Sequence, residues 1–422
     1  MYILDYKINA KLYGVRDSLL REFLEYLKEN YVNVTNHKQD LAKKVVSSFI
    51  LNSYYPSLTG RDKFGITLDE SNYSRSVIVN GKDTKRKISY TYTLSLFDFL
   101  QMKGYVEMFK GGVTDYGFVH GKWQPTEKEN SFIVMQEKLL NLYATVSGVT
   151  KSKKDNVLIV RDENGIDITF RMNEKLRTAK TCTDRYNELS CNSEVYFEGS
   201  KRDVQTHKVY LGKTYNKGGR NHMSGEGIQH LSSEDRKKVT INGNPTVVYD
   251  YGSYEPSLAY SMCGEVMPED PYQIELDGYD PKTLRSIAKK CFIIMLNIRS
   301  KTTLKNTCNQ MIEREFDVEE LTAKGKVPQR IDVLTICNVL EEKNYLIKEM
   351  FYGNSDKETC HAGSLVCDYI TDYFAQRGIL VLSVFDEFII EEQHEETLVR
   401  VMREGYNWVM GSNKNVRIKK EK

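Results

Sequence analysis

Two apolar runs that each deliver a carboxylate to a strand end constrain this chain more than any other feature. Gly378-Ile-Leu-Val-Leu-Ser-Val384 runs into Phe385-Asp386-Glu387, and a second apolar run, Phe388-Ile-Ile390, leaves it. A strand, an acidic turn and a return strand make a hairpin able to hold a metal ion. The counterpart lies 136 residues upstream, where Thr246-Val-Val-Tyr249 leads into Asp250 and the helix-like Gly252-Ser-Tyr-Glu-Pro-Ser-Leu-Ala-Tyr260. Two such carboxylates side by side repel unless divalent cations sit between them, the arrangement by which phosphoryl-transfer sites hold two Mg²⁺ ions. Either acid alone reads as a turn or N-cap residue; the pair draws its weight from its surroundings.

At 422 residues the chain can form two or three domains, each with its own core. A net charge of +2 gives no overall basic excess, so a nucleic-acid surface has to be local. One stretch fits. From Lys201 to Lys238 there are nine Lys or Arg against four Asp or Glu, interleaved with Tyr210, Tyr215 and three His, although a solvated loop has the same composition. The eight Cys are scattered with none in a CxxC pair, and no apolar run at the start resembles a signal peptide. They read as reduced, mostly buried thiols of a cytoplasmic protein. The longest apolar stretches, 291–296 and 379–385, are far too short to cross a bilayer, so a soluble protein is expected, with no membrane partner.

Helical patterns cover Asp17 to Glu29 and Asp40 to Leu51, followed by a turn-rich stretch from Ser57 to Ser74, a strand from Ser76 to Asn80 and an extended run from Lys87 to Thr93. Ser95 to Lys103 reads as a helix stopped by Gly104, Tyr105 to Phe109 as a strand, and the Gly-punctuated GGVTDYGFVHGKW beyond it as a hairpin. Helices followed by an extended hairpin predict a winged-helix-like α+β module over 1–150 that binds nucleic acid; a small structural α+β subdomain is the alternative. Asn130 to Val146 carries a helical pattern, and a polar, Lys-rich boundary follows at Ser147 to Asn156. Val157 to Val160 and Ile166 to Phe170 read as a hairpin around Glu163-Asn-Gly165. In this division 151–245 is a connecting, thumb-like region and 246–422 the catalytic domain.

Asp280 and Pro281 open a helix as N-cap and first residue, and Arg285 and Lys289, spaced i, i+4, share one face near the positive end of its dipole. Such a face can clamp a triphosphate by charge or be a solvated basic surface. Gly218-Gly219-Arg220 and Ile228-Gln229 precede the Asp250 strand, and His361-Ala-Gly-Ser364 opens a helix from Leu365 to Gln376. In the order GGR, IQ, DYGSYE, RxxxK, HAGS and FDE, these motifs resemble the polymerase domain of family A DNA polymerases. There a TGR and LQNIP segment precedes DYSxxE, an RxxxK helix follows and HDE closes the palm. The chain also resembles the single-subunit bacteriophage RNA polymerases, whose RSxxK helix continues into a Gly-Ser-Lys segment, as with Arg285-Ser286 and Ser300-Lys301, and whose HDSF is matched by FDEF. As a whole it is similar to bacterial and phage proteins that join a winged-helix-like N-terminus to such a palm. The motifs span Lys213 to Gly411, under half of the chain.

The resemblance implies an α+β fold with a right-hand palm and reduced helical fingers, acting as a template-dependent nucleotidyltransferase. A family A-like DNA polymerase would extend a nucleic-acid 3′ end by two-metal phosphoryl transfer. By the same resemblance Asp250, Asp386 and the Tyr251 carbonyl hold two Mg²⁺ ions, replaceable by Mn²⁺. Arg285 and Lys289 contact the triphosphate in catalysis, Glu255 restricts the sugar 2′ position, and Arg220, Gln229 and His361 approach the primer-template minor groove. Glu387 is a supporting acid in that pattern. Nucleic acid and nucleoside triphosphates are the implied partners. Phe385 stands where the pattern has His, Ile293 where it has Phe or Met, and Asn297, at a nucleotide-binding position, where it has the aromatic that stacks on the nascent base pair. A metal-dependent nuclease, needing neither the RxxxK helix nor Arg220, and a winged-helix replication initiator or DNA-binding regulator with an inactive palm are the competing readings. The polymerase reading is compatible with replication of a phage or mobile element, with repair and with antiphage defence alike.

Overall fold

The computed structural model describes residues 8–30, 34–58, 61–111, 130–146, 154–223, 227–298, 300–353 and 359–421, together with the backbone of 113–119 and 122–128. Helix and strand are both abundant. Near the start, helices Tyr13–Asn30, Asn36–Leu58 and Tyr90–Met102 bury apolar faces spaced three and four apart, Leu19, Phe23 and Leu27 against Val46, Phe49 and Ile50. Their core draws its buried residues from Leu12 to Tyr143 alone. A three-stranded antiparallel sheet beside them has the order Lys63–Gly65, Phe132–Met135, Val106–Phe109, and the chain between the last two continues as the hairpin Val113–Val119 with Lys122–Lys128.

Several local expectations change here. The run Lys87 to Thr93 turns helical at Tyr90, because the Ser89 hydroxyl accepts the Tyr92 N–H and caps the helix five residues before Ser95. Asn130 to Val146 splits into the strand Phe132–Met135 and the helix Glu137–Ala144; Ile133 and Met135 alternate into the core, and this period of two wins over the helical reading. Ser76 to Asn80 shortens to Ile78–Val79. The expected boundary falls mainly on 147–153, outside the described residues. Leu158–Arg161 pairs parallel with Thr206–Leu211, and the segment after it returns antiparallel through an Arg161–Asp167 bridge, an Asp162 N–H to Ile166 carbonyl bond of 2.9 Å and an Ile168 N–H to Val160 carbonyl bond of 2.8 Å, with the chain turning at Gly165.

The sheet that carries the acid pair has four antiparallel strands in the order Leu382–Val384, Glu387–Glu391, Thr246–Tyr251, Ile418–Lys420. Side chains alternate across it. Val247, Tyr251, Phe388 and Ile390 face the helices Tyr254–Cys263, Thr359–Ala375 and Glu395–Met410, while Val248, Leu382, Val384 and Ile389 face Tyr186, Val195, Phe197 and Ile241 from earlier in the chain. Both faces being covered, the strands read as continuous apolar runs rather than alternating ones. Between Tyr254–Cys263 and Thr359–Ala375 the chain leaves the sheet for a helical body, Pro281–Asn297, Lys301–Glu315, Val318–Ala323, Val333–Lys343 and a kinked segment Tyr345–Gly353, with a core of its own.

One buried ion pair ties the earlier sheet to the helix that backs the acid strands. The Lys208 ammonium, 1 % exposed, donates to Asp368 of Thr359–Ala375 and to the Gly219 carbonyl at 3.0 Å. Burial works against this ammonium, but Asp368 with its neighbours outweighs it and the lysine pKa is raised; burial likewise pushes the Asp368 carboxyl up. Removing one partner strands the other in a dry site. Asp368→Ala is therefore expected to destabilise the protein by about 3–5 kcal/mol in denaturant unfolding, and the double replacement Lys208→Met with Asp368→Leu to recover most of that loss.

Candidate active site

Pairing across the sheet sets Asp250 opposite Glu387 on one side and opposite Lys419 on the other. Val384 pairs with Glu387, so Phe385 and Asp386 form a two-residue turn, and the Asp386 carbonyl accepts the Tyr251 N–H at 3.3 Å. The turn is thereby folded back onto the end of the Asp250 strand, and the Asp250 and Asp386 carboxyls come into hydrogen-bonding contact. Burial, then the charges of Asp386, Glu421 and Glu387, push the Asp250 carboxyl up to about 8. Asp386 is also raised, by burial first, with Glu255 adding to the shift and Arg220 opposing it. One proton shared between two half-buried acids is the state expected where two carboxylates meet without a cation.

Glu387, the acid that follows Asp386, has a cationic partner of its own. It lies 7 % exposed and takes Arg236 on both oxygens, Nε at 2.5 Å and Nη2 at 3.1 Å. That fork sets a positive charge against the Glu387 carboxylate beside the pair and fixes the return strand. Arg236 had no distinguishing mark in the sequence beyond its place in a basic stretch.

Glu255 follows the Asp250 strand on the first turn of Tyr254–Cys263. Its Oε1 accepts from Arg220 Nη2 at 2.9 Å and its Oε2 from Asn297 Nδ2 at 3.0 Å. Three separated motif residues therefore meet at one carboxylate. The Arg220 guanidinium also stands 5.5 Å from the ring centre of Phe385, which is half exposed on the acidic turn. Asn297 closes the helix Pro281–Asn297, whose N-terminus is capped by Asp280 with Pro281 following. Arg285 and Lys289 lie on the earlier turns: Arg285 is paired with Asp270 and stands 5.6 Å from the Tyr272 ring centre, while Lys289 is exposed with no ion pair among the described residues.

Two further motif residues sit behind Arg220. Gly218 and Gly219 have φ of +73° and +89° where the strand Gly218–Met223 shifts register against Thr206–Leu211, and a Cβ on Gly219 would lie 2.8 Å from Tyr210 and 3.0 Å from the Ser364 hydroxyl. Glycine is required for this approach. It lets the helix Thr359–Ala375 come in so that His361 Nδ1 donates to the Gly218 carbonyl at 3.0 Å, leaving Nε2 to accept from Lys175 at 2.8 Å. A carbonyl only accepts and an ammonium only donates, which fixes the neutral tautomer; burial, helped by Lys175 and Lys208, holds the ring pKa below its usual value. Gln229 spends its amide on its own neighbourhood, accepting from Met223 N at 2.8 Å and donating to the Asn221 carbonyl at 2.9 Å. The Tyr251 ring is buried, stacked on Tyr254 with its hydroxyl on the Met402 carbonyl.

No protein-family model matches the chain, and no curated protein matches it. Among solved structures there is a weak similarity to the polymerase domain of Pol1 from M. smegmatis, in complex with DNA primer-template and dNTP. The TM-score is 0.30 with 12% identity, over 96% of this chain and 65% of that one. A score that low does not define a shared fold, and the chain spans about 65% of that domain's length. Among the described residues no helix is long and apolar enough to cross a membrane.

The acid pair has a direct thermodynamic signature. Unfolded, Asp250 ionises near 3.8; folded, near 8. Between these values the folded chain holds the extra proton, so stability falls as pH rises through that window, by at most about 1.4 kcal/mol per unit. Without divalent cations the thermal midpoint should drop from pH 5 to pH 8, Asp250→Asn should flatten that slope, and adding Mg²⁺ at pH 8 should restore stability to the unmodified protein more than to the variant.

Proposed function

We propose that the protein is a template-directed nucleotidyltransferase, a family A-like DNA polymerase whose four-stranded antiparallel sheet serves as the palm and whose helical body, Pro281 to Gly353, serves as reduced fingers. The observation that carries this reading is the contact between Asp250 and Asp386 at adjacent strand ends, beside a carboxylate, Glu255, that joins Arg220 to Asn297. The donor set fits a hard divalent cation: oxygen ligands only, two acids that repel until a proton or a cation separates them, and a third acid kept apart by Arg236. Asp250, Asp386 and the Tyr251 carbonyl would hold Mg²⁺, or Mn²⁺. Bound there, the metal supplies positive charge to a phosphoryl group and acidifies an attacking hydroxyl.

The chain's own side chains supply the rest. Lys289 is an exposed cation on the helix that ends at Asn297 and would meet a triphosphate and offset charge on the leaving group. Arg285 reaches the same phosphates by exchanging Asp270 for them. Glu255, held on both oxygens, is a rigid wall under the sugar, and a fixed carboxylate excludes a 2′-hydroxyl by sterics and desolvation. His361 and Gln229 hold the Gly218–Met223 strand from two sides and so steady Arg220 for a primer-template backbone. The N-terminal region supports a winged-helix reading, since its third long helix is followed by a strand pair with an extended hairpin and the earlier strand joins the far side of that pair.

A primer-extension assay with labelled template-primer, Mg²⁺ and each nucleotide type tests the proposal. Extension by the unmodified protein is expected, falling to background in Asp250→Ala and in Asp386→Ala while nucleic-acid binding persists. Shortening of the labelled strand would identify a nuclease instead, and binding with neither change would identify a DNA-binding regulator. In the same assay the unmodified protein should prefer deoxynucleotides, and Glu255→Ala should raise ribonucleotide use relative to deoxynucleotide use by about tenfold or more, the cost of one lost discriminating contact. Strong ribonucleotide preference before mutation would overturn that role for Glu255.

A further inference from the structure

Cys291, Cys308 and Cys337 come from three different helices of the helical body, Pro281–Asn297, Lys301–Glu315 and Val333–Lys343, and all three are fully buried. Their sulfurs converge, every pair lying within 4.8 Å. A single buried cysteine is an ordinary small core residue. Three aimed at one point are different, because thiols are weak hydrogen-bond partners and fill the space less well than one branched aliphatic side chain would. A cation lies close by: Lys301, on the exposed edge of the helical body, acts electrostatically on Cys337, and its ammonium stands 4.9 Å from the Tyr352 ring centre and 3.0 Å from Glu341, which also accepts from the Tyr352 hydroxyl at 2.9 Å.

We propose that Cys291, Cys308 and Cys337 form a trithiolate site for a thiophilic d¹⁰ cation, Zn²⁺ in particular, that pins the three helices together. With Zn–S bonds of about 2.3 Å the sulfurs of a tetrahedral centre stand about 3.8 Å apart, so each sulfur has to move inward by less than about 1 Å. Sulfur ligands select zinc or copper(I) over magnesium or calcium. Between those two, charge decides: three thiolates leave one net negative charge around Zn²⁺ and two around Cu⁺, and the smaller costs less in an apolar interior where Lys301 is the nearby cation. Among the described residues no fourth His, Cys, Asp or Glu joins the cluster. The site has no part in the acid pair and stands or falls independently of the polymerase reading.

The full chain, purified under reducing conditions, is analysed for metal by mass spectrometry, then stripped with chelator and titrated with Cd²⁺, Zn²⁺ and Cu⁺. Thiolate-to-metal charge-transfer absorption reports Cd²⁺ and Cu⁺, and competition with bound Cd²⁺ reports Zn²⁺. Expected are a single zinc per chain, a Cd²⁺ band saturating at one equivalent, and a thermal midpoint that falls on chelation. Cys308→Ala and Cys337→Ser should lose the band and the response to chelator, whereas Cys191→Ala, outside the cluster, should keep both. Folded, reduced protein that carries no metal and shows no band would overturn the proposal, as would a band undiminished in either cluster variant. Should both variants fail to fold, the titration of the unmodified protein still decides: a band saturating at one equivalent supports the site and its absence refutes it. Tighter binding of Cu⁺ than of Zn²⁺ would overturn the choice of zinc.

Discussion

The antiparallel pairing of Thr246–Tyr251 with Glu387–Glu391 is the interaction on which the rest depends. Its register is pinned by burial, since a slip of one residue would turn Val247, Val248, Ile389 and Ile390 to the wrong faces. The same register sets Asp250 beside the Asp386 turn, so the apolar cores on the two faces hold together charges that repel. Arg236 eases the arrangement by setting a positive charge against Glu387. What remains is a concentrated negative site whose unfavourable energy a cation can relieve, and binding by that cation is correspondingly favoured.

Both turns at the acid pair carry local strain. Phe385 has φ of +59° and Ser253, between the Asp250 strand and its helix, has φ of +52°. Neither is glycine, and a left-handed conformation costs such residues of order 1 kcal/mol or more. Ser253 lies beside Tyr272, and Phe385 lies against Arg220. The strained residues thus make contacts that unstrained glycines could not.

Much of this arrangement was legible in the chain. The acid-bearing strand ends, the Asp280 cap and the motif order all rest on local chemistry, and Glu255, Arg220 and Asn297 do meet. What local pattern did not carry was non-local pairing. The strand Ile418–Lys420 is short and polar, two of its three residues Lys, and gains its place only by pairing with Tyr249–Tyr251. The expected turn around Glu163 to Gly165 is present, whereas the parallel partner of Leu158–Arg161 lies far along the chain and no local pattern announces it. Asn297 read as the loss of an aromatic, whereas its amide makes a directed bond to Glu255 that a count of aromatics cannot foresee. The cysteines looked scattered because helices that meet in space are separated by turns in sequence.

The helical body leaves the sheet after Tyr254–Cys263 and rejoins it through Thr359–Ala375, and its buried residues form a core distinct from those of the sheet. Topologically it is an insertion. The register of the acid strands is held by their own ladder and not by the length of chain that joins them, and closing a longer excursion costs only about 0.6 kcal/mol per doubling. A scaffold built this way can lengthen, shorten or replace this helical module over evolutionary time while the two carboxylates stay in contact. Divergence should therefore accumulate between residues 264 and 358 faster than in the four strands on which the acids stand.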